Sequence, residues 1–125
     1  MSISIKQLRQ SFWYALRGIG YVFRHEQNFR IEIIIAIVVV FWARWFGVRQ
    51  YEFIVLLLLI FAVLTLELVN SSLEKFFDVV HPRLKYHVKV AKDIMAGAVL
   101  FSAVCAVVVG AVVFSTYISA YLGSF

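Results

Sequence analysis

The sequence predicts an all-α integral membrane fold, with three transmembrane helices and an N-terminal amphipathic surface helix in a single domain over residues 1–125. Three observations carry this. Of the 125 residues, 63% are apolar or aromatic and 15% charged, with a mean hydropathy of +0.91; a soluble domain holds about 45–50% apolar and about 25% charged residues, so the surplus needs lipid as its solvent. The apolar residues gather in three runs free of charge, 33–43, 53–66 and 94–125. One proline and six glycines exclude a loop-rich chain, and the single cysteine, Cys105, excludes a disulfide framework and reads as a packed thiol inside an apolar run.

Residues 3–24 form the first element. Ile5, Leu8, Phe12, Leu16, Ile19 and Phe23 fall within about 80° on a helical wheel, and Lys6, Arg9, Arg17 and Arg24 occupy a separate arc of similar width. Such a helix lies along a membrane surface, apolar face in the head-group boundary and cations among phosphates. Gly18 and Gly20 mark the place where it could kink or admit a lipid. The first span covers 30–48, the second 53–80 with its apolar part ending near residue 73, and the third 94–117. Each supplies the roughly 20 residues that cross a hydrocarbon layer of about 30 Å. The first is not a signal peptide, since a long segment precedes it and no small-x-small cleavage pattern follows. In the third, Ala98, Ser102, Ala106 and Gly110 recur every four residues, a strip of small side chains that admits a neighbouring helix.

Lys and Arg set the orientation. Lys6, Arg9, Arg17, Arg24 and Arg30 precede the first span, and Arg83, Lys85, Lys89 and Lys92 lie between the second and third; the intervening connection has only Arg44 and Arg49. The N-terminus and the second connection of this multi-pass chain therefore belong in the cytoplasm. Most of the +5 net charge lies on that face, opposite anionic lipid or nucleotide phosphates.

The end of the second span carries the chemistry. Glu67, Asn70, Glu74 and Asp78 fall on one helical face as a polar stripe. Counting about 1.5 Å per residue from Phe53, Glu67 sits about 21 Å into the layer and Glu74 about 31 Å, so the stripe begins inside lipid and emerges at the surface, before His81-Pro82 stops the helix. A carboxylate at the depth of Glu67 costs several kcal/mol unless paired, hydrated or protonated, which makes it a functional candidate. Glu26 and Glu32 near the start of the first span, and Lys92 and Asp93 before the third, converge on the same boundary, Glu32, Asp78 and Lys75 reading equally well as surface charges. Carboxylates without His or Cys spacing suit Mg2+ completed by substrate phosphates, and scattered His25, His81 and His87 do not make a zinc site. No Gly-rich phosphate loop and no nucleic-acid motif occurs. Two functions fit: an enzyme acting on a lipid head group, or a small ion-translocating subunit whose buried carboxylate carries protons. A transport carboxylate belongs near the midplane, whereas this stripe runs out into the cytoplasm, which favours the enzyme.

The run Glu67-Leu-Val-Asn70-Ser-Ser-Leu-Glu74-Lys-Phe-Phe-Asp78, followed by Ala91-Lys92-Asp93 and preceded by His25-Glu26-Gln-Asn28-Phe29-Arg30, resembles the prokaryotic diacylglycerol kinase and undecaprenol kinase family over nearly the whole chain. The resemblance implies a homotrimeric membrane kinase that uses Mg-ATP to phosphorylate a lipid hydroxyl, with active sites shared between subunits. It implies Glu67 as general base, Glu26 and Glu74 as Mg2+ ligands, and Glu26, Asn70, Glu74, Asp78, Lys85, Lys92 and Asp93 around the nucleotide. Glu67, Phe29 and Arg30 would meet the lipid. Leu84-Lys85 stands where many relatives have Tyr-His, which departs from the pattern for adenine binding and offers Lys85 to phosphate instead. The segments 91–99 and 26–30 look more like the undecaprenol kinase branch.

Overall fold

The computed structural model describes residues 2–80 and 85–124. Among them are four helices: α1 Ile5–His25, α2 Gln27–Phe46, α3 Gln50–Val80 and α4 Lys85–Gly123. His81-Pro82, expected to stop the second span, and Leu84, paired with Lys85 in the adenine argument, lie outside the described residues.

Helix α1 begins at Ser4, whose hydroxyl accepts from the Gln7 N–H at 3.3 Å, and runs unbroken through Gly18 and Gly20. Its apolar residues Leu8, Phe12 and Leu16 are exposed and only Val22 is buried, so its apolar face is uncovered among the described residues. One extended residue, Glu26, separates α1 from α2. Its N–H donates to Val22 O at 2.8 Å. Arg30 then reaches back, Nη1 donating to Phe23 O and Arg24 O at 2.9 Å each, which satisfies carbonyls that the end of α1 leaves open.

Helix α2 ends at Gly47, whose φ of 67° lies in the left-handed region that a side chain disfavours. There the Val48 N–H donates to Ala43 O at 3.1 Å, closing the turn. Glu52 accepts from the Arg49 N–H at 3.1 Å and so caps α3 from its first turn. Tyr117 of α4 donates to the same Glu52 carboxylate and accepts from Arg49 N–H at 3.2 Å, while Phe46 packs among Phe114, Tyr117 and Tyr121. This polar and aromatic clamp ties the α2–α3 turn to α4. Beneath it Ala43, Leu56 and Val113 form a small buried core, with Ala43 1% exposed. Ala43→Leu is therefore expected to destabilise the protein by about 1–3 kcal/mol, since no space exists for three added carbons; thermal unfolding in detergent reads the loss, and an unchanged midpoint would show that the contact yields.

Helices α3 and α4 form the longest pairing, and both are long and apolar enough to cross a membrane. Their 31 and 39 residues exceed the apolar spans 53–73 and 94–117. At about 1.5 Å per residue they also exceed a layer of about 30 Å, so their facing charged ends project past it. In particular α4 starts at Lys85, nine residues before its apolar span, and carries Lys89, Lys92 and Asp93 as helical side chains beside the end of α3. Helix α2 has the length to cross, about 30 Å, but holds Arg30, Glu32 and Arg44 within its 20 residues. Ala106 and Gly110 of the small-residue strip are half-buried, and Ser102 donates to Val99 O at 2.7 Å instead of across to another helix. Cys105 differs from expectation. It points outward from α4, because the buried face of that helix runs through Val99 and Val113.

Candidate active site

The polar stripe of α3 changes environment along its length. Glu67 is buried at 5% exposure and Ser71, one turn on, at 4%; Asn70 and Glu74 are half-buried and Asp78 exposed. The helical period that put these residues on one face thus turns that face inward at Glu67 and lets it emerge at Asp78. Beside it stands the junction of α1 and α2, with Glu26 half-buried at the break and Phe29, 2% exposed, anchoring the first turn of α2.

Three contacts organise this end of the molecule. Lys92 of α4 donates to Asp78 of α3 at 3.3 Å, the one ion pair among the described residues. Both side chains are partly exposed, so the pair adds little to stability, and its effect is to hold the Lys92 ammonium beside the stripe. Lys75 lies over the Tyr21 ring at 5.5 Å and within electrostatic range of Asp78 and Glu26, joining α1 to α3. Tyr21 also stacks on His25, with ring centroids 4.2 Å apart. Between α1 and α3 opens a cleft of about 340 Å³, bounded by Gly18 and Val22 on one side and Ser71, Ser72 and Lys75 on the other.

The remaining expected residues are placed as follows. Lys85 and Asp93 are exposed on α4. Arg30, expected at the lipid, is engaged by two carbonyls of α1. Among the described residues no three His, Cys, Asp or Glu side chains come together closely enough to hold a metal ion. The carboxylates that the sequence gathers at one boundary are therefore spread within a single chain, and their hard oxygen donors suit Mg2+ only with further oxygen ligands from elsewhere.

The residue that sequence reasoning undervalued is Glu32. Its Oε2 atom is enclosed with no bonding partner among the described residues, and its side chain lines the same space as Val63 and Leu64, about one turn before Glu67 on α3. A signal existed: Glu32 falls on the same helical face as buried Phe29 and Ala43, so it was an inward position. From Glu32 a second, larger groove of about 360 Å³ runs between α2, α3 and α4 along Ala36, Val63, Ala106 and Phe114, almost wholly apolar.

A family model described as "Prokaryotic diacylglycerol kinase" matches residues 13–114, from within α1 to within α4. The chain belongs to the prokaryotic diacylglycerol kinase family. The match takes in every stripe residue together with the α1–α2 junction and the Lys92-Asp93 pair, the elements that the fold brings to one end. Among the relatives of this diacylglycerol kinase family chain, a protein of Synechocystis sp. named "Diacylglycerol kinase" is 39% identical over 102 residues, 80% of this chain and 58% of that protein. The chain thus spans little more than half the length of that relative. A Bacillus subtilis protein named "Undecaprenol kinase" is 32% identical over 105 residues, 84% of this chain and 85% of its own length.

Proposed function

We propose that this chain is the subunit of a homotrimeric lipid kinase of the bacterial inner membrane, which transfers the γ-phosphoryl group of ATP to the hydroxyl of a neutral membrane alcohol, undecaprenol in preference to diacylglycerol. The observation that carries the reading is Glu67: a buried carboxyl on a membrane-length helix, at the inner end of a stripe that leads to the Lys92–Asp78 pair. Family membership and the names of the two relatives support it. In this reading α1 lies on the cytoplasmic face, α2, α3 and α4 span the bilayer, and the N-terminus is cytoplasmic, as the Lys and Arg distribution requires.

The chemistry asks for positioning, charge neutralisation and a proton acceptor. The lipid hydroxyl oxygen attacks the γ-phosphorus, the bond to the β,γ-bridging oxygen breaks, and the hydroxyl proton passes to Glu67. Lys92, held by Asp78, places a positive charge against the phosphates, where Lys85 also contributes. Asn70, nearly one turn from Glu67 on the same face, and Asp93 complete the polar surroundings of the nucleotide. Phe29 and Arg30 shape the first turn of α2 beside the acceptor. Glu26 and Glu74 would hold Mg2+, which when bound neutralises phosphate charge. Because the described residues of one chain do not bring three such ligands together, the site is completed by ATP oxygens and by a neighbouring subunit.

The acceptor reaches Glu67 sideways from the inner leaflet, and its head must be small and uncharged, since burying a charged phospholipid head there costs several kcal/mol. Assays with labelled ATP and each alcohol in mixed micelles are expected to give the larger kcat/KM for undecaprenol; failure to phosphorylate either would overturn the proposal. Helix α1 walls the entrance, so deleting residues 1–20 is expected to raise the apparent KM for lipid at least about threefold with the ATP constant little changed. A weakened ATP constant with the lipid constant intact would move α1 to the nucleotide side.

A further inference from the structure

We propose that the apolar groove between α2, α3 and α4 holds the tail of the acceptor lipid, a single isoprenoid chain longer than one leaflet, and that it thereby selects a polyprenol over a diacylglycerol. The inference rests on the reading of this chain as a lipid kinase with α2, α3 and α4 across the bilayer, and names the part of the molecule that chooses the substrate.

Small residues make the groove. Ala103, Ala106 and Gly110 follow one face of α4 and leave space opposite Ala36 of α2 and Val63 of α3. A Cβ added at Gly110 would meet nothing within 4 Å. At the inner end stand Glu32, the one charged residue lining the groove among the described residues, and Leu64, about one turn before Glu67. The outer end closes on Phe114, which packs against Phe46 of the aromatic clamp with ring centroids 6.1 Å apart. Ile35 and Val107 are exposed at the rims, so a tail can enter from the lipid at the side.

Length decides what fits. At about 1.5 Å per residue along each span, Glu32 lies about 3 Å from the cytoplasmic edge, and Leu56 and Phe114 about 25 and about 30 Å from it. The groove therefore crosses the midplane, at about 15 Å, and nearly reaches the outer face. An acyl chain anchored at the inner boundary ends near the midplane, because each leaflet fills half of the layer, and it cannot occupy the outer half. The volume of about 360 Å³, spread over that length, is also narrow. It does not receive a neighbouring helix, about 10 Å across, and it takes one chain lengthwise where a diacylglycerol brings two. A polyprenol brings one long chain and an uncharged hydroxyl that stays at the inner end, beside the stripe of α3. Moving a tail out of lipid into an apolar groove gains no hydrophobic free energy, so selection comes from packing contacts, which accumulate with the length of tail engaged.

The test uses the full chain in mixed micelles, with assembly followed by gel filtration, and a series of linear polyprenols of increasing length. In the wild type kcat/KM is expected to rise at least about tenfold over the series, and to go on rising past the length that reaches the midplane; a flat profile overturns the proposal. Gly110→Leu fills the outer half of the groove, and is expected to raise KM at least about tenfold for the longest polyprenol and less than about twofold for the shortest and for ATP. Equal losses for short and long alcohols, or no loss, overturn it. Dissociation of the oligomer in Gly110→Leu would assign the groove to a second copy of this chain. Should that variant fail to fold, Ala106→Val, a smaller filling, is read in its place and carries the same expectation in weaker form. A polyprenol with a photoactivatable group at its far end gives a readout without turnover: labelling is expected around Leu56 and Phe114, and even labelling of all lipid-facing residues overturns the groove. If Phe114 is labelled while no alcohol is phosphorylated, the kinase reading fails and the tail site stands.

Discussion

Glu67→Gln is expected to lower lipid phosphorylation by on the order of 10³ in kcat, with KM for ATP and the Mg2+ requirement nearly unchanged. The amide is close in shape to the carboxyl, so the protein should still insert and assemble. It cannot accept the hydroxyl proton, however, and the alkoxide must form without help. A loss confined to kcat is the signature of an interaction made only as the bond to phosphorus forms. If the variant instead needed more Mg2+ at unchanged maximal turnover, Glu67 would belong with the metal ligands.

Glu74→Gln and Glu26→Gln should show the opposite pattern: turnover at ordinary Mg2+ falls at least about a hundredfold, and any residual activity requires a higher Mg2+ concentration. Glu74 is half-buried near the surface end of the stripe, where folding depends on it little. Glu26 stands at the α1–α2 break, within electrostatic range of Lys75. Because a single chain does not gather three metal-binding side chains among its described residues, these two are expected to serve one site from different subunits. Mixed oligomers of the two inactive variants should then recover part of the wild-type activity, since some interfaces would pair an intact Glu26 with an intact Glu74. Co-assembled mixtures with no recovery would place both ligands in the same chain, and identical Mg2+ titrations for Glu26→Gln and wild type would remove Glu26 from the metal altogether.

Residue order alone set the helical class, the three apolar runs and the stripe from Glu67 to Asp78. These follow from composition and from a 100° step per residue, both local properties that need no knowledge of what packs against what. It also placed Lys92 and Asp93 at the same boundary as the stripe, because helices longer than the apolar layer must bring their charged ends to one face. What it did not determine is which charge meets which. Asp78 holds Lys92, and Arg30 turns back onto the carbonyls of α1. Glu32, legible in the sequence equally as a surface charge, turns into the groove beside Val63 and Leu64. The clamp of Glu52, Arg49 and Tyr117 joins residues more than sixty positions apart. Each of these depends on the rotation and axial offset of one helix against another. Those two quantities are fixed by side-chain packing between helices, as at Ala43, Leu56 and Val113, and a helix's own period leaves them open.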